Sequence, residues 1–71
     1  MSPREAAAIW LMKFGTERVL IKEALSVGVD TLVSLIGADY VAQCRGTSSE
    51  LLCYLTEVGL AAIKGDDHES S

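Results

Sequence analysis

Seventy-one residues suffice for one domain near the lower limit of independent folding, which buries only about 60% of the surface its unfolded chain exposes. Two cysteines and one histidine are too few for a disulfide framework or a four-ligand zinc site. The net charge of −4 is carried mainly by Asp66, Asp67 and Glu69; the first 64 residues hold seven acids and six bases, which excludes both a basic nucleic-acid footprint and a strongly acidic surface.

Along the chain, Ser2-Pro3-Arg4-Glu5 reads as an N-cap, a proline at the first helical position and a capping-box glutamate. The helix it opens is expected over about 3–14, with Gly15 as its stop and Ala7, Trp10, Leu11 and Phe14 as its apolar stripe. Thr16 caps a second helix, over about 16–27, which Gly28 ends; Leu20, Ile21, Ala24 and Leu25 oppose Arg18, Lys22 and Ser26. A third is expected over about 30–45, apolar around most of its circumference, with Gly37 as a point where it can break. Thr47-Ser48-Ser49-Glu50 repeats the capping-box pattern and opens a fourth, over about 48–64, before Lys64 and Gly65. No segment alternates with period two over a useful length, so strand content is expected near zero. The fold class read from this is all-α: a compact bundle of four short helices in a single domain, residues 1–64, with 65–71 as an acidic flexible tail.

Ala24, Gly28, Val29 and Asp30 have the turn chemistry of a helix-turn-helix: a small residue where two helices approach, then a glycine and a polar cap. Its second helix would begin at Thr31, with Asp30, Thr31, Leu32, Leu35 and Ile36 as groove-facing positions. Base readout needs Arg, Lys, Asn or Gln there, and none is present. A second, weaker version puts the turn at Gly37–Asp39, with Tyr40, Gln43 and Arg45 on the following helix. Cys44 and Cys53 read as buried free thiols, although antiparallel helices could bring them together. His68 sits in the acidic tail, where a general base lacks a rigid cleft. With no nucleophile–base pair, phosphate loop or cofactor fingerprint, the chain is expected to be non-enzymatic, with no metal and no cofactor.

The remaining signal is a surplus of apolar residues. Counting glycine with the aliphatic, aromatic and sulfur side chains and leaving tyrosine out gives 39 of 71, or 55%, against about 45–50% in ordinary soluble domains. A body this small cannot hide them all, and exposed apolar patches mark protein contacts. Ile9, Trp10, Met12, Tyr40 and Tyr54 are the candidate interface, with the first helix foremost. The function read from this is a small regulatory or adaptor protein acting through helix-mediated contacts, as a homodimer and with another protein. The alternative is a short DNA-binding regulator using Lys22, Gln43 and Arg45; a third class is a stoichiometric subunit of a larger assembly. No apolar run approaches the ~20 residues of a membrane span, and the N-terminal stretch lacks the order of a signal peptide, so the expected compartment is the cytoplasm.

Overall fold

The computed structural model describes residues 2–65; the expectations for His68 and for the acidic stretch beyond Gly65 lie outside them. Helix α1 (Pro3–Phe14) is followed by a two-residue strand β1 (Val19–Leu20). Helix α2 (Ile21–Ala24) runs into a 3-10 turn over Leu25–Val27, and α3 (Val29–Gly37) comes next. Strands β2 (Val41–Arg45) and β3 (Leu51–Leu55) form a hairpin, and α4 (Glu57–Lys64) ends the described chain. The three strands make one antiparallel sheet in the order β1-β3-β2.

The chain is therefore an α+β fold, and the expected all-α bundle is corrected at three places. The second expected helix is a strand, a single α-turn and a 3-10 turn. The third stops at Gly37 and becomes β2; the fourth begins as β3 and turns helical only at Glu57. Hydrogen bonds at the end of α3, in the hairpin turn and at the start of α4 show how the last two changes are made. Asp39 takes a left-handed φ of 69°, so its N–H donates to the carbonyl of Ile36 while Tyr40 N–H reaches that of Leu35. These two bonds close the helix end in the Schellman pattern, with an aspartate in the place glycine more often fills. Thr47-Ser48-Ser49-Glu50 forms the hairpin turn rather than a helix cap. Ser49 N–H donates to Gly46 O, Ser49 has φ 66°, and Gly46 N–H closes on Glu50 O at 2.9 Å. That is a turn followed by a left-handed residue, a common hairpin connection. The Glu50 carboxylate accepts from Ser48 N–H at 2.9 Å, so the expected capping glutamate serves the turn. The operative cap of α4 is Thr56, whose hydroxyl accepts from Gly59 N–H at 3.0 Å.

Helix α1 forms between the caps its sequence supplies. Ser2 Oγ accepts from Glu5 N–H, Glu5 Oε1 accepts from Ser2 N–H, and Gly15 N–H donates to Leu11 O. Its inner face buries Ala6, Ala7 and Trp10, three and four residues apart as one helix face requires. The two alanines let α1 lie close to its neighbours, α3 and α4. Trp10 is fully buried and meets Phe14 edge-to-face, with ring centroids 4.7 Å apart. Around it the core is Ala24, Leu32, Leu35, Val41, Cys53 and Leu55. In the hairpin register Val41 pairs with Leu55 and Gln43 with Cys53, so Val41, Cys53 and Leu55 share the sheet face turned to the helices.

Two substitutions test this packing. Trp10→Ala should cost about 3–5 kcal/mol, a large part of the stability available to so small a domain, which is roughly 0.05–0.15 kcal/mol per residue; urea unfolding would measure it. Gly59→Ala should also destabilise, by about 1–3 kcal/mol, although alanine gains up to about 1 kcal/mol in helix propensity. The reason is that a Cβ there would sit 2.6 Å from the Tyr40 carbonyl oxygen. A stabilised Gly59→Ala variant would show that α4 can move off the strand.

Candidate interaction surface

Gly28 links the 3-10 turn to α3. Its φ of 106° is open only to glycine without strain, its N–H donates to Leu25 O, and its carbonyl accepts from Leu32 N–H. Ala24, just before it, is fully buried. Ala24, Gly28, Val29 and Asp30 thus form a tight turn, but what precedes it is one α-turn running into a 3-10 turn rather than the expected helix, and α3 begins at Val29 rather than at Thr31. The second version, with its turn at Gly37–Asp39, is corrected: the segment after that turn is a strand, and Gln43 and Arg45 lie on β2.

Helix α3 turns Leu32 and Leu35 into the core. At 100° per residue, Val29, Val33 and Ile36 form a stripe on another side, and they are 61%, 63% and 36% exposed. Leu25, at the start of the 3-10 turn, is exposed as well. The polar residues of α3 are gathered elsewhere: Asp30, Thr31 and Ser34 line a shallow depression together with Ala6 of α1. A helix with apolar residues on most sides is expected at the centre of a fold. Here it is peripheral, because the core closes around Trp10 and nothing among the described residues covers the second face.

The five expected interface residues are not gathered on one surface. Trp10 is buried inside the protomer, Ile9 is half-buried and Met12 is exposed on α1. Tyr40 is half-buried against the core. Tyr54 lies half-buried on the sheet face away from the helices, with the Arg18 guanidinium 5.2 Å from its ring centre. By register that outer face also carries Leu20, Leu52, Ala42 and Cys44, all half-buried. The three candidate DNA contacts are exposed but spread, Lys22 on α2, Gln43 and Arg45 on β2; Arg45 also donates to the Ser49 carbonyl at 3.0 Å. Sequence reading missed Val29 and Val33 as surface residues. The signal was present in the all-round apolarity of the segment, but it pointed to a buried helix.

Cys44 and Cys53 are both free. Gln43 is the partner of Cys53 and Leu52 that of Cys44, so the two thiols project from opposite faces of the sheet and do not pair within the chain. Burial raises the Cys53 pKa above the ordinary 9.0; a side-chain hydrogen bond with Gln43 opposes that, and the charge of a neighbouring Cys44 thiolate adds to it. No cluster of three or more metal-ligating side chains occurs among the described residues, and no helix there is long and apolar enough to cross a membrane. Comparison with protein-family models, curated proteins and solved structures finds no match.

The two thiols should differ in reactivity. At mildly alkaline pH an alkylating reagent should label half-exposed Cys44 in the native protein and Cys53 only on unfolding, as peptide mass mapping would show. The unfolded chain releases the Cys53 proton first, so its contribution to stability is full below pH 9.0 and is lost as pH rises through the raised folded value.

Proposed function

We propose that this chain is a small, non-enzymatic regulatory or adaptor protein that works through protein–protein contacts, as a homodimer and with a further protein. The observation that carries this reading is the uncovered stripe of Val29, Val33 and Ile36. Apolar surface left in water forgoes about 25 cal/mol for each Å² that a contact would bury. A helix laid into an apolar groove through residues four and seven apart is a recurrent recognition mode. The stripe carries no charge and no amide, so specificity would come from shape and from the polar rim of Asp30 and Ser34.

A second reading, a DNA-binding regulator, is favoured by one observation: the Gly28 turn leads into a helix with one exposed face, and the hairpin bears Arg45. Against it stands the chemistry of α3, which offers no bidentate donor to a base edge and places Asp30 where phosphates would approach.

Val33→Asp with Ile36→Asp separates the two. Val33 is 63% exposed, so its change should alter stability by no more than about 0.5 kcal/mol. Ile36 is only 36% exposed and sits in the last helical turn, so its change costs more, and the fold of the double variant is checked by circular dichroism. Immobilised wild-type protein should retain a defined host protein that the double variant loses by at least about tenfold, a difference near 1.4 kcal/mol. Retention unchanged by the double variant would remove α3 as the contact. Salt-sensitive binding of duplex DNA, weakening steeply between about 50 and 200 mM salt, would favour the second reading.

A further inference from the structure

The free edge of β2 tells what can bind there. Tyr40 O accepts from Thr56 N–H, and Gly46 N–H donates to Glu50 O, so the hydrogen-bonded pairs of the hairpin fall on even-numbered residues of β2, Ala42 and Cys44 among them. The N–H and C=O groups of Val41, Gln43 and Arg45 therefore point away from β3. Val41 is covered, at 1% exposure. Gln43 and Arg45 are exposed, and their edge groups have no backbone partner among the described residues. Folded proteins guard such edges with proline, a bulge or inward-pointing charge. This one has no proline and no bulge, and its single charge stands at the strand end.

We propose that two copies of this chain join by antiparallel pairing of their β2 edges about a two-fold axis through Cys44. The proposal rests on the homodimer reading above and says where the copies meet. Covering of Val41 fixes the register. A two-fold centred on Gln43 would need the Val41 groups, whereas one centred on Cys44 uses only those of Gln43 and Arg45. Gln43 of each copy then exchanges two hydrogen bonds with Arg45 of the other, making four, and the exposed edge groups, those of Gln43 and Arg45, are satisfied. The side chains agree: on the face shared with Cys53, the Arg45 guanidinium lies opposite the Gln43 amide of the second copy, donor against acceptor. On the outer face Cys44 meets Cys44 in a non-hydrogen-bonded position. An open depression lined by Arg18, Cys44, Gly46 and Leu52 lies on the β3 side of Cys44 and leaves its thiol reachable from the outer face. The two three-stranded sheets become one of six strands, and their half-buried outer faces, with Leu20, Leu52 and Tyr54, become continuous. An isologous contact of this kind closes on itself and stops at two copies.

The register makes a sharp prediction. Opposed residues at a non-hydrogen-bonded position have Cα atoms about 4.5 Å apart, within the roughly 4.4–6.8 Å that a disulfide spans. Treating the full chain with the thiol oxidant diamide should therefore give a covalent dimer linked Cys44 to Cys44, formed equally by Cys53→Ala and abolished by Cys44→Ala. Gln43→Pro removes an N–H that no residue of its own protomer uses, a change edge strands tolerate. It should keep the circular dichroism of the fold and turn a dimer into a monomer in light scattering. A wild-type dimer that fails to cross-link through Cys44 and survives Gln43→Pro, yet is dissociated by Val33→Asp, would overturn the strand pairing and keep the homodimer. A wild-type monomer at tens of micromolar would overturn both.

Discussion

At Tyr40 two helices and two strands of this fold are joined through one residue's main chain. Its N–H donates to Leu35 O and so ends α3, while its carbonyl accepts from Thr56 N–H at 2.9 Å and from the Thr56 hydroxyl at 3.2 Å. That hydroxyl has one proton, shared between Tyr40 O and the nearer Asp39 O at 2.7 Å, and its oxygen accepts from Gly59 N–H, which starts α4. Closing the Tyr40–Thr56 pair also sets the register of the hairpin. A slip of one residue would exchange the two faces of β3, sending Cys53 and Leu55 outward and Leu52 and Tyr54 into the core. The absence of a side chain at Gly59 is what lets α4 approach this carbonyl closely enough for the arrangement to form.

The surface is a consequence of that junction. With the register set, the inner sheet face and α1 close around Trp10, and nine buried apolar residues make up the core. Helix α3 can bury one side against this core, through Leu32 and Leu35, and the described chain has no further element to lay over Val29, Val33 and Ile36. The sheet meets the same limit. Three strands give two edges, and the helices cover β2 only at Val41. The unsatisfied surface therefore has two chemistries, an apolar helix stripe that selects for shape and a strand edge that selects for extended backbone. A protein with both can hold its own copy by one and a different partner by the other.

The amino-acid sequence by itself determined the first helix, the Gly28 turn and the apolar surplus. Each depends on contacts within a few residues or on composition: a serine, a proline and a glutamate at fixed offsets start α1, and a glycine accepts a φ that other residues resist. Tertiary structure decided what Val41–Arg45 and Leu51–Leu55 become. Thr47-Ser48-Ser49-Glu50 can cap a helix or turn a hairpin with the same groups, and Leu51-Leu52-Cys53-Tyr54-Leu55, apolar throughout, fits either period. A strand forms only where another strand satisfies its backbone, so the choice lay in the pairing of residues about ten positions apart, and local spacing carries no record of such a bond.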